Sequence, residues 1–539
     1  MPATLIARSI SISFGDHVVL SGVGLLVAPG ARIGVIGPNG TGKTTLLRIL
    51  SGAQQADGGT VAVAPLDSTV GHLPQEPERR TGETVRDFLA RRTGVAAATL
   101  ELEAATLALA DHAGGADDRY AIALERWLVL GGADLDARIA PLWAELGLPA
   151  ELLDHDMTTL SGGQAARSSL AAILLAQFDV FLLDEPTNDL DFDGLERLER
   201  FLDGVAAGVV IVSHDRAFLE RSITSVLELD VNSHEGRLFE GGWLAYLDER
   251  ATTRRHAEEA FADYTDKRRG LEDRARSQRQ WAVSGARKVK GKATDHDKAQ
   301  QGFRLNRTER QASKVRITEK ALQRLDVVDK PWEGWDLQFS IATAPRSGAV
   351  VARLSGAVVE RGTFRLGPID LEVGWAERIA VLGPNGSGKT TLLAALLGRM
   401  PLAAGEQWLG PGVVVGELDQ ARRRLSGAES VLAAFCAEAG IAVQQEARSL
   451  LAKFGIDADH VTRPAMSLSP GERTRAVLGL LQATGVNCLV LDEPTNHLDL
   501  PAIEQLERAL DAYDGTLLLI THDRRLLDAV RIDRRVELA

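Results

Sequence analysis

Two short stretches, GPNGTGKTTLL from Gly37 to Leu47 and GPNGSGKTTLL from Gly383 to Leu393, have the residue types and spacing to hold phosphate. Their glycines let backbone N–H groups point inward at anionic oxygens beside the positive end of a helix. Lys43 and Lys389 can reach the β and γ phosphates, and the hydroxyls of Thr44 and Thr390 can ligate Mg²⁺. A second pair of stretches, Phe181-Leu-Leu-Asp184-Glu185 and Leu489-Val-Leu-Asp492-Glu493, ends in two adjacent carboxylates. Successive strand side chains point to opposite faces. The first carboxylate can therefore hold Mg²⁺, directly or through water, while the second orients and deprotonates an attacking water. An Asp-Glu pair alone would read as a strand-ending turn; a phosphate loop in each half favours the chemistry.

These groups need strands that stop at a common edge. Arg32-Ile-Gly-Val-Ile36 has the pattern of a short buried strand and runs through the phosphate loop into the helical stretch Thr45 to Leu50, a strand, loop and helix in series. The series belongs to a repeat much longer than the loop. LLDEPTNDLD at Leu182 to Asp191 returns as VLDEPTNHLD at Val490 to Asp499, and VSHDR at Val212 to Arg216 returns as THDR at Thr521 to Arg524. Ser161 to Asp184 and Ser469 to Asp492 both span 23 residues, and Asp184 to His214 and Asp492 to His522 both span 30. The chain is a duplication. Gln75 to Ser161 covers 86 positions where Gln420 to Ser469 covers 49, so the first copy carries about 37 extra residues. Leu102, Leu107, Leu109, Ile122, Leu124, Trp127, Leu128 and Leu130 recur there at three- and four-residue spacings around Gly114-Gly115, which predicts a helical arm over about 93–149.

At 539 residues with 45% apolar and 25% charged side chains, the chain predicts two to four ordinary globular domains. Its two cysteines, Cys436 and Cys488, have no CxxC or Cys/His spacing, which supports neither a disulfide framework nor a structural zinc site and predicts core thiols in a reducing cytosol. The opening MPATLIARSISISF lacks the charged region followed by an apolar region that a signal sequence would show, and no uncharged apolar run reaches the roughly 18 residues of a membrane span. The net charge of −13 hides a segregation: Arg250 to Leu325 holds 21 Lys/Arg against 10 Asp/Glu, a local +11 that leaves −24 elsewhere.

Taken together, these motifs resemble the ATP-binding cassette (ABC) ATPases. Leu160-Ser-Gly-Gly-Gln164 is similar to their signature, Gln75 and Gln420 stand where the family has a loop glutamine near the metal, and His214 and His522 fall at its switch histidine. The resemblance implies an α/β fold with two P-loop nucleotide-binding domains that pair head to tail on two ATP molecules with Mg²⁺. One site would combine Gly37 to Thr45 (Asn39, Gly40, Gly42, Lys43, Thr44 and Thr45 among them), Gln75, Asp184, Glu185 and His214 with Ser469, Gly471 and Glu472. The other would combine Gly383 to Thr391 (Asn385, Gly386, Gly388, Lys389, Thr390 and Thr391 among them), Gln420, Asp492, Glu493 and His522 with Ser161, Gly163 and Gln164. Glu185, Glu493, His214 and His522 are then catalytic; Thr44, Gln75, Asp184, Thr390, Gln420 and Asp492 surround the metal. Two departures follow. Leu468-Ser-Pro-Gly-Glu472 has Pro470 for a glycine, which removes an N–H donor yet suits the first turn of a helix. Phe14, 23 residues before Gly37, matches the aromatic that stacks on adenine, or is a plain core residue; the same offset before Gly383 lands on Glu360, with Phe364 four residues later.

Between the cassettes, Ala257, Phe261, Tyr264, Leu271 and Ala275 fit a helical spacing, as do Val315, Leu322 and Leu325. Gly285 and Gly291 are poor helix formers, so the pattern predicts a helical hairpin with ARKVKGK, from Ala286 to Lys292, at its tip and arms of about 30 to 40 residues. The expected domains are 1–242, 243–330 and 331–539. Arg279, Trp281, Arg287, Lys288, Lys290 and Lys292 could contact RNA by charge and stacking; a solvated coiled-coil tether is the alternative. Asp295-His296-Asp297 is a weak metal motif without further ligands nearby. Twin cassettes, a charged linker, LSPGERTR and DEPTNHLD are similar to the ABC-F subfamily. That resemblance implies a cytoplasmic monomer that binds the ribosome at the exit-tRNA site, its linker toward tRNA and the peptidyl-transferase centre, as a translation factor or an antibiotic protector. The rival is the ATPase subunit of a transporter with separately encoded membrane subunits, which leaves the basic hairpin unexplained.

Overall fold

The structure is a computed structural model that describes residues 3–66, 68–74, 80–112, 114–188, 190–289, 345–362, 364–418, 425–496 and 498–538, with 317 and 320 besides; of 278, 279 and 281–289 it describes the backbone alone, as of 470. Gln75 and Gln420 lie outside the described residues, as do Lys290, Lys292 and the 295–297 triplet. The chain divides into two compact units, residues 1–245 with 335–539, and residues 246–334.

The first unit contains the two copies. In the first, six strands stand in the order Val70–Leu73, Val180–Asp184, Gly208–Val212, Arg32–Ile36, Ser225–Leu229, Gly236–Glu240, parallel except for the last. In the second, Val415–Leu418, Cys488–Asp492, Thr516–Ile520, Arg378–Leu382 and Arg534–Glu537 repeat the order, all parallel. The central strands are apolar runs buried on both faces, as parallel strands covered by helices must be; Val180–Asp184, Gly208–Val212, Cys488–Asp492 and Thr516–Ile520 are buried throughout. Each side chain of that size withdrawn from water contributes about 1.5–3 kcal/mol. A three-stranded antiparallel sheet accompanies each copy, Thr4–Phe14 between His17–Val27 and Gly58–Ala64, and Val350–Arg361 between Phe364–Gly374 and Ala404–Leu409.

Strand order places the chemistry. The phosphate loop follows Arg32–Ile36, the carboxylates end Val180–Asp184, and between these two strands runs Gly208–Val212, after which comes His214. All three features therefore lie at the carboxyl ends of neighbouring parallel strands, where open α/β sheets bind ligands.

The extra helices of the first copy are narrower than 93–149. Leu135–Glu145 ends 16 residues before Ser161, as Gln444–Lys453 ends 16 before Ser469, so it has a counterpart. The additional element is the pair Val95–Ala110 and Ala116–Val129, separated at Gly115, whose φ of 70° suits a residue without Cβ. Among the described residues no single helix is long and apolar enough to cross a membrane. Length and apolar character suffice only when Val85–Arg92 and Val95–Ala110 are taken together, and that pair is bent by 79° with Val85, Phe88 and Leu89 buried.

One helix, Gly242–Val289, runs for 48 residues and continues through Gly270 and Gly285. The hairpin reading put a break near Gly285 and an arm of about 30 to 40 residues; the helix is longer, about 72 Å at helical rise. It carries Arg287 and Lys288 as helical residues, while a returning arm falls outside the described residues. Both cysteines are free, Cys488 buried and Cys436 half-buried.

Candidate functional site

Each phosphate loop is held open by a glycine at its helix end. Gly42 has φ 90° and a Cβ there would come within 2.6 Å of Val19; Gly388 has φ 96° and would meet Phe364 at 2.7 Å. Glycine is the residue that satisfies both the backbone and the space. Lys43 is buried and donates from Nζ to the carbonyls of Gly37 at 2.7 Å and Pro38 at 3.1 Å; Lys389 donates to Gly383 at 2.8 Å and Pro384 at 3.1 Å. Burial lowers the pKa of both amines, and the neighbouring Glu185 and Glu493 oppose that shift most strongly.

The carboxylates stand as the strand pattern requires. Thr390 Oγ1 donates to Asp492 Oδ2 at 2.7 Å. Asp184 likewise takes a hydrogen bond from the Thr44 side chain, and its Oδ2 is buried with no hydrogen-bond partner among the described residues. A buried oxygen left open beside a threonine hydroxyl and a phosphate loop fits a divalent cation bound also by phosphate. Among the described residues no group of three or more His, Cys, Asp or Glu could hold a metal without such outside ligands.

Glu185 and Glu493 both sit at φ 49°, a left-handed conformation that costs a non-glycine residue about 1–3 kcal/mol. The turn is fixed by Glu185 N donating to Val212 O at 2.8 Å and Glu493 N to Ile520 O at 2.9 Å. It brings each carboxylate to its histidine: His214 Nε2 is 3.2 Å from Glu185 Oε1 and His522 Nε2 is 3.5 Å from Glu493 Oε1. The backbone N–H groups of both histidines donate to the same carboxylates at 3.3 Å. Burial pushes the Glu185 carboxyl up to about 8, opposed by Lys43 and reinforced by Asp184. Burial holds His522 down at about 4, helped by the Lys389 charge, so its imidazole is neutral at pH 7.

The shift has a sign that can be measured. A carboxyl raised to about 8 accepts a proton only when ionised, so kcat/KM for ATP at the first site rises with pH from 6 and levels off above about 8. Phosphate release by the Glu493→Gln variant, whose turnover comes from the first site, checks this; a flat profile from pH 6 contradicts it. For stability the sign is opposite. The folded chain keeps a proton that the unfolded one releases near 4.5, so this contribution is present below that pH and is lost as pH rises through about 8.

The two copies meet. Asn39 N donates to Asp499 Oδ2 at 3.1 Å and Asn385 N to Asp191 Oδ2 at 2.9 Å, a reciprocal pair from each phosphate loop to the other half. A cavity of ≈ 1320 Å³ is lined by Asn385, Gly386, Gly388, Lys389, Thr390, Thr391, Asp492, Glu493 and His522 of one copy together with Ser161, Gly163, Gln164, Asp184, Glu185 and His214 of the other. Gly163 is tight against Asn385, whose Cβ would lie 3.2 Å from a Cβ added there.

Both signature serines cap helices. Ser161 and Gln164 form a capping box at Gly162–Leu175, and Ser469 and Glu472 form one at Pro470–Thr484. Pro470 takes the first helical position, where its missing N–H has no intrahelical partner to lose. Glu472 also meets His460 Nε2 at 3.0 Å. Phe14 is 53% exposed, which excludes the core reading. Its counterpart is not Glu360: Phe14 pairs with His17 at the hairpin end as Arg361 pairs with Phe364. The connection after the second strand has four residues in the first copy and three in the second, and this shifts the offset by one. Arg361 and Phe364 both line the cavity. The side chains of Arg279, Trp281, Arg287 and Lys288 lie outside the described residues.

Sequence reasoning quoted Asp191 and Asp499 without a role. Their signal was the constant seven-residue distance from Asp184 and Asp492.

Comparison with known proteins agrees with this geometry. The ABC transporter family model matches residues 20–188 and 366–496, one segment in each copy. The tylosin resistance ATP-binding protein TlrC of Streptomyces fradiae is 37% identical over 530 residues, 95% of this chain and 93% of its own. The energy-dependent translational throttle protein EttA of Mycobacterium tuberculosis is 33% identical over 539 residues, 97% and 89% of the two chains. An archaeal ribosome recycling factor, crystallised with a ribosomal stalk protein, shares the fold with TM-score 0.57 at 20% identity, over 98% of this chain and 87% of that one. Two matched cassettes and relatives aligned over nearly the full length identify the chain as an ATP-hydrolysing member of the ABC-F subfamily of ATP-binding cassette ATPases.

Proposed function

We propose that two ATP molecules join the cassettes head to tail, that the joined form binds the ribosome, and that hydrolysis releases it. The cavity carries this reading. In it Lys389, Thr390 and Glu493 of one cassette face Ser161 and Gly163 of the other, so a triphosphate lying there touches both halves and favours the joined arrangement by its differential affinity.

At the first site Lys43 and the Gly37 to Thr45 backbone hold the β and γ phosphates, with Ser469, Gly471 and Glu472 approaching from the second cassette. Lys43 exchanges its bonds to the Gly37 and Pro38 carbonyls for phosphate oxygens. Thr44, Asp184 and Gln75, and at the other site Thr390, Asp492 and Gln420, would hold a Mg²⁺ ion, which would supply positive charge that offsets the phosphates. Glu185 and Glu493 take the proton of the attacking water; His214 and His522 hold that carboxylate and the γ-phosphate in line. Phe14 stacks on the adenine of the first site, while Arg361 occupies that position at the second.

The ribosome is inferred from the names of the relatives, one a tylosin resistance protein and another a translational throttle, and from the +11 segment in an acidic chain. Arg279, Trp281, Arg287, Lys288, Lys290 and Lys292 would face tRNA and ribosomal RNA. Both a translation-factor and an antibiotic-protection role are compatible with such a cycle.

Sedimentation tests the reading. With Glu185→Gln and Glu493→Gln and ATP present, the chain pellets with ribosomes. Changing Arg287, Lys288, Lys290 and Lys292 to Glu lowers that affinity by about 10²-fold or more and flattens its salt dependence. Partition into membranes with no ribosome binding would overturn the reading in favour of a transporter ATPase.

A further inference from the structure

Two helices cross-brace the sites. Leu500–Asp511 starts seven residues after Glu493, and its capping residue Asp499 accepts from Asn39 N in the first phosphate loop at 3.1 Å. Two turns later, Glu507 takes two hydrogen bonds from Arg216, Nη1 to Oε2 at 3.2 Å and Nη2 to Oε1. Arg216 stands two residues after His214. One helix, joined directly to the glutamate of the second site, thus grips the first site at its phosphate loop and at its histidine loop, about 12 Å apart along the helix axis.

The mirror arrangement is present. Phe192–Gly204 follows Glu185, its capping residue Asp191 accepts from Asn385 N at 2.9 Å, and Glu199 accepts from Arg524 Nη1 at 3.0 Å. Arg524 stands two residues after His522. The two braces are unequal. Arg216 and Glu507 are 15% and 13% exposed, whereas Glu199 is shared between Arg524 and Arg221 of its own cassette, the latter at 3.2 Å. In addition, the Phe192 ring meets His522 edge-on at 5.3 Å, and its counterpart in the other helix is Leu500.

We propose that Arg216 and Arg524 are positioning residues that couple the two ATP sites, each fixing its histidine loop to a helix driven by the glutamate of the opposite cassette. Placement supports a functional rather than a merely adhesive pair. A merely adhesive ion pair could lie anywhere on the contact, but these two lie beside the histidine loops at matching positions of both copies. Burial disfavours the charge of both Asp215 and Asp523; the nearby Asp523 adds to this at Asp215, while Arg524 opposes it at Asp215 and Arg216 at Asp523.

The test uses the full chain without ribosomes, so its outcome is independent of ribosome binding. With Glu493→Gln present, so that turnover comes from the first site, Arg216→Ala, and separately Glu507→Gln, lower kcat about tenfold with KM changed less than about twofold, because misplacing the histidine loop disturbs reaction geometry more than ATP contact. The charge swap of Arg216→Glu with Glu507→Arg recovers most of the loss. Lys389→Ala, which empties the second site, slows the first site in the wild-type background and adds nothing once Arg216 is Ala. Unchanged kcat in both single variants, a swap no better than either, or fully additive effects with Lys389→Ala would each overturn the proposal. Glu507→Gln keeps shape and burial, so the test stands even where Arg216→Ala fails to fold.

Discussion

ATP turnover falls about 10³-fold when Glu185 and Glu493 are both replaced by Gln, while ATP remains bound. A positioned general base contributes about 10²–10⁴-fold, and each glutamate is the carboxylate nearest its histidine, at 3.2 and 3.5 Å. Glutamine keeps the shape and still accepts the His214 and His522 backbone N–H groups, whose 3.3 Å bonds need an oxygen but no charge. Because burial already pushes the Glu185 carboxyl up to about 8, the neutral amide changes little in the charge that ATP meets near neutral pH. The expected result is a chain that retains two ATP per molecule on a desalting column and releases phosphate about a thousandfold more slowly. Turnover within tenfold of wild type would remove both glutamates from the mechanism.

Lys389→Ala is the second large effect. The ammonium is buried among Glu493, Asp191 and Asp492, and it donates to Gly383 O at 2.8 Å and Pro384 O at 3.1 Å. Alanine leaves three carboxylates without their offsetting cation and removes the charge-assisted bonds to phosphate. Truncating one partner of a buried hydrogen-bonded charge pair costs about 2–5 kcal/mol of binding, about 10²–10³-fold in affinity. Titration with a fluorescent ATP analogue then gives one tight site and one weakened by about that factor. Two equal sites would show that the loop backbone alone holds the triphosphate.

Much of this was legible in the residues because phosphate loops, strand-end carboxylates and their spacings are local in the chain and occur twice. What the sequence hid were contacts that close over long separations. Arg216 and Glu507 are 291 residues apart, and the sequence signal for their pairing was slight, a Leu-Glu-Arg triplet eight residues after Asp191 and Asp499. Arg361 was missed because a turn shortened by one residue moved it off the expected offset. Gly285 was read as a helix break. A glycine costs a helix about 1 kcal/mol, and in a run of 48 residues that is one small term among many. Arg254–Glu258 and Arg268–Glu272 pairs at 2.8 and 3.0 Å contribute a few tenths of a kcal/mol each on the same helix.

The left-handed backbone at Glu185 and Glu493 sets stability against selection for activity. At φ 49° the residue most at ease is glycine, and the buried carboxylate adds a desolvation cost of its own, so on folding grounds alone glutamate is a poor choice at either place. A population of variants sorted by thermal tolerance without ATP would drift toward glycine or asparagine there and become inactive as it became more robust. Glutamate at 185 and 493 is instead what the proposed role in activating water requires, in both cassettes separately.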